Sequence, residues 1–202
     1  MFNDDTQQTS TVERKIALPK SEQHFLVITA LGADRPGIVN TITRLASACG
    51  CNIEDSRLAM FGEEFTFIML LSGSWNAITL IESTLPQKGA ELELLIVMKR
   101  TRCGVQTKFP STISVRVDVD DSPGIVERFT NLFTTQNFNI AELASKTHPA
   151  EENMPARLQI YITGHNPLDD NGLIFKESFY RLCTELNAQG SISVLDHLNK
   201  ND

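Results

Sequence analysis

Positive charge is scarce in this sequence. The 202 residues include 18 Lys and Arg against 25 Asp and Glu, which gives a net charge of −7. A protein that binds nucleic acid directly usually presents a basic face, and here the basic residues cluster only at Lys99, Arg100, Arg102 and Lys108. Four such charges are more typical of a solvated linker than of a phosphate-binding surface. The charge balance therefore argues against direct binding of nucleic acid or of an anionic membrane.

Long apolar runs are also missing from the sequence. No segment approaches the roughly 20 consecutive apolar residues that a membrane-spanning helix needs. The segment Met1–Ser10 is polar and acidic, so we expect no signal peptide. The four cysteines, at positions 49, 51, 103 and 183, are unevenly distributed, which indicates free thiols rather than a disulfide framework. We therefore expect a cytoplasmic protein that does not bind a membrane.

Motifs for metal binding and catalysis are equally scarce. The four histidines are scattered along the chain, and none has the spacing of a zinc ligand pair. The sequence contains no phosphate-binding loop and no Gly-x-Ser-x-Gly segment. Cys49-Gly50-Cys51 is isolated, so we assign Cys49 to a helix core and treat Cys51 as incidental. We predict a protein without a cofactor or a metal, and not an enzyme.

What the chain does contain is an internal repeat. The segment Asp34-Arg35-Pro36-Gly37-Ile38-Val39 returns as Asp121-Ser122-Pro123-Gly124-Ile125-Val126, 87 residues later. Between residues 34 and 53, nine of twenty positions are identical at that offset. The period is too long for a solenoid and suits a small domain, so we predict a duplicated domain.

Apolar periodicity predicts the same order of elements in each copy. In the first copy, strands at 24–31, 52–61, 65–71 and 91–99 alternate with helices at about 36–49 and 74–87. We expect Pro36 in the first helical turn, Pro86 and Gly89 at the end of the second helix, and Gly190 at the end of the last. Aligning Gly73 with Gly164 places four extra residues in the second hairpin.

The βαββαβ order indicates an α+β fold of two ferredoxin-like domains. We predict a polar tail at 1–23, a first domain at 24–99, a linker at 100–111 and a second domain at 112–198. The first copy has strands that are apolar on both faces, which predicts that its sheet is buried on both sides, by the other repeat, the tail or another protein. In the second copy the strands alternate, so one sheet face is expected to be polar.

The repeated turn has two interpretations on the sequence alone. Pro-Gly sets a tight turn, and Asp34 or Asp121 caps nearby amides. Alternatively, the helix N-terminus offers free N–H groups to a carboxylate, and a glycine lets a ligand approach the backbone, while the aspartate accepts bonds from an ammonium. An amino acid carries both groups. Asn52 and Asn139 either form turns, since Asn tolerates left-handed conformations, or bond a ligand at the sheet edge.

The repeated Asp-x-Pro-Gly-Ile-Val turn, the Asn-Ile pair after the first helix and the element order together resemble the ACT domain. ACT domains are regulatory modules that often bind an amino acid where two such units meet. The two turns differ at their second residue, so two equivalent sites are not assured. For this chain the resemblance implies ligand contacts at both turns and nearby asparagines: Asp34, Arg35, Gly37, Ile38, Asn52, Asp121, Ser122, Gly124, Ile125 and Asn139.

A chain of two ACT domains and a short tail resembles a group of regulators that lack a DNA-binding domain. The resemblance implies a negative regulator of the glycine cleavage genes that contacts a DNA-bound LysR-type activator, with glycine or another amino acid as effector. A regulatory subunit of an amino-acid metabolic enzyme and a pairing module without ligand remain open alternatives. The sequence also leaves open whether the protein is a homo-oligomer.

Overall fold

The chain folds into two compact units. The computed structural model describes residues 23–102, 111–150, 155–166 and 172–196. One unit lies within residues 1–105 and the other within residues 106–202. Most of the predicted tail and linker therefore falls outside the described residues.

Unit 1 has the predicted βαββαβ order. Its four-stranded antiparallel sheet has the order β2-β3-β1-β4, and both helices pack against one face. Alternate strand residues such as Leu26, Ile28 and Met69 form the core together with Ile42 and Ile81 of the helices. The elements are β1 His24–Ala33, α1 Ile38–Ala48, β2 Asn52–Phe61, β3 Glu64–Gly73, α2 Trp75–Glu91 and β4 Leu95–Thr101.

Unit 2 repeats this architecture with the sheet order β6-β7-β5-β8. Its core is more aromatic, since Phe133 and Phe175 pack edge to face with ring centroids 4.8 Å apart. The elements are β5 Ser111–Asp120, α3 Ile125–Thr135, β6 Asn139–His148, β7 Arg157–Asn166, α4 Gly172–Glu185 and β8 Gln189–Asp196. The predicted α+β fold of two ferredoxin-like domains is confirmed.

The strand register corrects the predicted alignment of the second hairpin. Gly73 pairs with His24 in β1, whereas Gly164 pairs with Ile113, the counterpart of Leu26. Gly164 therefore corresponds to Leu71, not to Gly73. The insertion in this hairpin is two residues longer than the sequence alignment indicated.

Helix α2 continues past both residues that were expected to close it. Pro86 lies inside the helix, and so does Gly89, which is buried. A Cβ at Gly89 would stand 2.4 Å from Cγ1 of Ile96, so the packing leaves room only for glycine. Gly190 likewise does not end α4: it lies in β8, where a Cβ would stand 2.5 Å from Sγ of Cys183. These glycines provide space for close packing rather than a helix stop.

Within the described residues, helices α1, α2, α3 and α4 all end in the same hydrogen-bonding pattern. In α1 the Gly50 N–H donates to the Ser47 carbonyl and the Cys51 N–H to the Ala46 carbonyl, each at 3.0 Å. This is the Schellman motif, which requires a residue with positive φ just after the helix. That residue is Gly50 in α1, Glu93 in α2, Asn137 in α3 and Asn187 in α4.

The second face of the first sheet is not fully buried within the described chain, and its burial by another protein stays a prediction. Leu31, Ile68, Leu95 and Val97 lie on this face and are 39%, 41%, 62% and 56% exposed. Phe25, at the other end of the same face, is 7% exposed. The strands are apolar on both faces as the sequence indicated, but the described chain leaves much of the second face open to solvent.

One cation of the predicted linker belongs to the fold. Arg100 lies on β4, with Nε 2.9 Å from a Glu82 carboxylate oxygen and its guanidinium 4.0 Å from the centre of the Trp75 ring. The hydrogen bond from Arg100 lowers the pKa of Glu82. Interpreting this arginine as part of a solvated linker was therefore wrong.

The cysteines of the described chain are buried thiols. Cys49, Cys51 and Cys183 are all free, and Cys51 donates to the Ala77 carbonyl with a separation of 3.5 Å. No group of three or more His, Cys, Asp or Glu among the described residues is arranged to hold a metal ion. Within the same residues, no helix is both long enough and apolar enough to cross a bilayer.

Candidate ligand-binding turns

The repeated Pro-Gly pair forms a type II β-turn in both units. The Ile38 N–H donates to the Arg35 carbonyl at 3.3 Å, and Gly37 has φ 90° and ψ −5°. The second turn matches it, with the Ile125 N–H bonded to the Ser122 carbonyl and φ 89° at its glycine. A type II turn favours Pro at its second position and needs positive φ, hence Gly, at its third.

Helix α1 begins two residues later than the sequence suggested. The first helical bond of α1 runs from the Thr41 N–H to the Gly37 carbonyl at 2.9 Å, so Pro36 precedes the helix. Consequently the amides of Val39 and Asn40 have no acceptor within the helix. These free N–H groups lie at the positive end of the helix dipole.

Each turn leaves its backbone and its aspartate open. A Cβ built on Gly37 or on Gly124 would meet nothing within 4 Å. Asp34 and Asp121 are exposed, and their carboxylates have no partner among the described residues, so neither caps the helix amides as one interpretation expected. Each aspartate is held through its backbone, for example by the Asp121 N–H bonded to the Ala156 carbonyl at 2.8 Å. Both carboxylates are available to an incoming cation.

In unit 1, a side chain of the turn contacts the residues that follow α2. The turn of unit 2 has no equivalent contact within the described chain. Arg35 forms an ion pair with Glu93 and donates to the Leu92 carbonyl at 3.3 Å. Both side chains are well exposed, so the pair contributes at most about 1 kcal/mol. Ser122, the counterpart of Arg35, makes no such contact within the described chain.

The two helix N-termini also differ in charge. Helix α3 carries Glu127 in its first turn, where α1 has the neutral Asn40. A carboxylate in this position already interacts with the helix dipole and repels a second anion. The turn of unit 1 therefore combines a cation with free amides, whereas that of unit 2 places an anion beside them.

Ile38 and Ile125 point away from the turns. Their side chains are 4% and 6% exposed and belong to the two cores. Their amides are occupied by the turn hydrogen bonds described above. These residues position the turns and offer a ligand no free group.

Asn52 lies at the opposite end of unit 1 from the turn. Asn52 pairs with Ser72 on β3, and Ser72 pairs with Phe25 on β1. Phe25 precedes Asp34, which follows the end of β1, by nine residues. At the strand rise of about 3.3 Å per residue, this separation is about 30 Å. Within one unit, the structure does not bring Asn52 and the turn together.

Asn52 belongs to a polar cluster at a β-bulge. Its Nδ2 donates to Oε1 of Glu54 at 2.9 Å, and the Ser72 hydroxyl donates to the same oxygen. The strand register shifts between Ile53 and Asp55, which re-aims the Glu54 side chain. Unit 2 has the equivalent bulge, just after Asn139.

Asn139 is exposed and opens β6, where it pairs with His165. Its side chain makes no hydrogen bond to another described residue. The His165 ring nitrogen Nδ1 lies 2.9 Å from the Thr112 hydroxyl. The asparagines of the two repeats therefore share a position but not a set of contacts.

Sequence reasoning missed two features at these sites. Glu93 is 58 positions from Arg35 in the chain, and no local signal connects them. A cavity of about 750 Å³ on the open face of the second sheet was also missed, although the alternation of β5 and β7 predicted that this face is polar. It is lined by polar residues including Arg116, Lys146 and Tyr161.

Comparison with known proteins identifies the family. Residues 24–99 match the ACT domain. The glycine cleavage system transcriptional repressors of Escherichia coli (strain K12) and Shigella flexneri are each 66% identical to this chain over 177 residues, which cover 88% of it and 93% of the relative.

Solved structures agree with this assignment. The crystal structure of a candidate glycine cleavage system transcriptional repressor is 40% identical, covers 87% of this chain and 99% of its own, and has a TM-score of 0.67. A protein of unknown function from Galdieria sulphuraria, 24% identical over 86% of this chain and 99% of its own, has the same fold with a TM-score of 0.69. The chain belongs to the family of glycine cleavage system transcriptional repressors, and both of its units have the ACT-type fold.

Proposed function

We propose that this protein is an amino-acid-responsive negative regulator of the glycine cleavage operon that acts through contact with a DNA-bound LysR-type activator. The family assignment supports negative regulation of that operon by a protein that is a regulator and not an enzyme. The observation that supports amino-acid sensing is the turn of unit 1. There Asp34, Arg35 and the open Gly37 surround free helix amides.

This turn offers complementary groups to an amino acid. The unpaired carboxylate of Asp34 suits an ammonium, and the amides of Val39 and Asn40 suit a carboxylate. Arg35 provides a second partner for the carboxylate if it exchanges Glu93 for the ligand. Glycine is the first candidate effector, because it carries both charged groups and adds no side chain beside the turn.

The turn of unit 2 is the weaker candidate. Ser122 and Asp121 offer polar groups, and Gly124 leaves the same open space as Gly37. However, Glu127 stands in the first turn of α3, where it opposes a ligand carboxylate. We therefore expect one dominant site, in unit 1.

The proposed output is a change in protein contact. The net charge of −7 disfavours direct binding to DNA, which supports action through a DNA-bound partner. An effector that binds one conformation of the regulator better than another shifts the population toward that conformation. In this proposal glycine favours the conformation that binds the activator less well.

Amino-acid sensing can be tested with calorimetry and thermal unfolding on the full chain. We expect glycine, within a screen of twenty amino acids, to bind and to add about 2.7 kcal/mol of apparent stability at one hundred times its Kd. Asp34→Asn should weaken binding at least tenfold, whereas Asp121→Asn should weaken it little. Glu177→Gln, on an exposed position of α4, is the control that should bind normally. Equal binding by Asp34→Asn and the wild type would refute the site.

The output needs a separate test with a purified LysR-type activator bound to operator DNA. We expect the chain to join the activator–DNA complex and to leave it when glycine is added. It should not shift the operator DNA alone. Binding to bare operator, or no binding to the activator complex, would contradict the proposed mechanism without affecting the ligand site.

A further inference from the structure

The open face of the second sheet carries a polar trough. We define the trough by Arg116, Lys146, Gln159, Tyr161 and Ser191, which line the cavity of about 750 Å³. Two adjacent cross-strand rows form its floor. Ala144, Tyr161, Arg116 and Ser191 make up one row, and Lys146, Gln159, Asp118 and Gln189 make up the other.

The one acidic side chain among the residues that line the cavity is already paired. Arg157 donates from Nε to the Asp118 carboxylate at 2.6 Å and forms an ion pair with it. Gln159 donates to the other carboxylate oxygen at 3.2 Å. These bonds, chiefly those from Arg157, lower the pKa of Asp118 and keep it ionised and paired. Arg157 also pairs with Asp120, and neither carboxylate forms an ion pair with the remaining cations of the cavity.

Those remaining cations are Arg116 and Lys146. Both are exposed, and neither has an ion pair or a hydrogen bond within the described chain. The guanidinium of Arg116 faces the Tyr161 ring, whose centroid lies 5.8 Å from its Cζ. The cavity therefore brings two unpaired cations together on one concave surface.

The spacing of the two cations sets the size of the ligand. Arg116 and Lys146 are two strands and two residues apart in the sheet. Strand spacing of about 4.8 Å and a rise of about 3.3 Å per residue separate their Cα atoms by about 12 Å. Their long side chains can therefore hold two acidic groups of one small molecule above Gln159 and Tyr161.

The corresponding surface of unit 1 lacks this chemistry. Register places Thr29 where unit 2 has Arg116, Ala59 in place of Lys146, and Ile68 in place of Tyr161. Val97 similarly replaces Ser191. The trough is thus a property of unit 2 and does not follow from the shared fold.

We propose that the trough binds a small organic anion with at least two acidic groups, carboxylates or phosphates, held by Arg116 and Lys146. A cavity of this volume falls within the range of about 300–1,000 Å³ that is typical of small-molecule sites. Ser191, Gln159 and the flat Tyr161 ring provide neutral contacts between the two charges. The site is independent of the turns and does not rest on the proposed response to glycine.

Calorimetry with two defined probes tests the proposal. Citrate and inorganic pyrophosphate, titrated separately into the full chain at low ionic strength, distinguish a carboxylate site from a phosphate site. We expect one of them to bind and its affinity to fall steeply as salt is added, because the charges are exposed. The Arg116→Gln/Lys146→Gln variant should bind that probe at least tenfold more weakly, and since both residues are exposed its thermal unfolding should match the wild type.

Lys176→Gln, which removes an exposed cation from α4, is the matched control and should bind like the wild type. Binding of the probe that is equal in the double variant and the wild type would overturn the proposal. So would the absence of binding by both probes, which would instead favour an acidic protein segment as the occupant. Glycine binding should be unchanged in the double variant, which keeps this test separate from that of the turn.

Discussion

At the scale of single residues, backbone conformation decides the two turns. Gly37 and Gly124 both adopt φ near +90°, which L-residues with a side chain rarely adopt. Space is not the constraint, because a Cβ at either position would meet no atom within 4 Å. The glycines are therefore required by the turn itself, and their openness to a ligand is a consequence.

This distinction gives a prediction for Gly37→Ala. The substitution should destabilise unit 1 by about 1–2 kcal/mol. The methyl group of alanine has room, but the left-handed backbone conformation is unfavourable for a residue with a Cβ. Urea unfolding followed by the fluorescence of Trp75, the single tryptophan of the chain, measures the change. Asn40→Ala, an exposed change three residues on, should stay within about 0.5 kcal/mol. A Gly37→Ala variant as stable as the wild type would show that alanine adopts the positive φ of this turn without a cost in stability.

At the scale of elements, proline and glycine alone do not decide where a helix ends. Capping hydrogen bonds and tertiary contacts decide it for α2. Helix α2 passes through Pro86 and Gly89 and ends where Leu94 donates to the Gly89 carbonyl at 2.8 Å. The residue with positive φ is Glu93, which Arg35 contacts. The C-terminus of α2 and the first turn are thereby coupled in unit 1.

Pro86 should carry a measurable cost in this position. It is exposed, lies inside α2 and has no N–H to donate to the carbonyl four residues earlier. Pro86→Ala restores that donor, so we expect unit 1 to gain about 1–3 kcal/mol of stability. Thermal unfolding compares it with Pro36→Ala, where proline favours a type II turn and its loss should destabilise slightly. A Pro86→Ala variant that is no more stable than the wild type would mean that the helix is relaxed around the proline.

At the scale of the whole molecule, the two units share a skeleton but differ in their open faces. The first sheet exposes apolar residues such as Leu95 and Val97, and the second exposes the polar trough. Both units also bury a thiol against the helix side of the sheet. Burial raises the pKa of Cys51, helped by the neighbouring Cys49, and that of Cys183, each to about 11.

These thiols predict a loss of stability in alkali. Because the folded pKa of Cys51 lies above its ordinary value of 9.0, its contribution is complete below pH 9 and is lost as pH rises toward 11. From pH 8 to pH 10 the loss should be about 1.4 kcal/mol for unit 1. Urea unfolding followed by Trp75 fluorescence at several pH values measures it.

Two variants isolate this contribution. Cys51→Ala should flatten the alkaline decline that Trp75 reports, whatever it does to stability at neutral pH. Cys183→Ala lies in the other unit and should leave that decline as in the wild type. A decline of the same steepness in Cys51→Ala would assign it to other groups.

Local chemistry in the sequence determined most of the architecture. The repeat, the βαββαβ order and the Pro-Gly turns follow from short-range patterns, because apolar periodicity and turn residues act over a few positions. The same patterns predicted the polar face of the second sheet. The resemblance to ACT domains likewise depended on residues such as Asp34 and Gly37, which lie close together in the chain.

Only the tertiary structure decided which distant residues meet. Arg35 meets Glu93, Asp118 meets Arg157, and Asn52 lies about 30 Å from the turn by the strand rise. Strand register and helix length fix these relations, and neither can be obtained from local propensity. Within unit 1 the tertiary structure thus placed the turn and the bulge at opposite ends of the sheet. It also showed that the cation of the first turn, Arg35, is paired with Glu93.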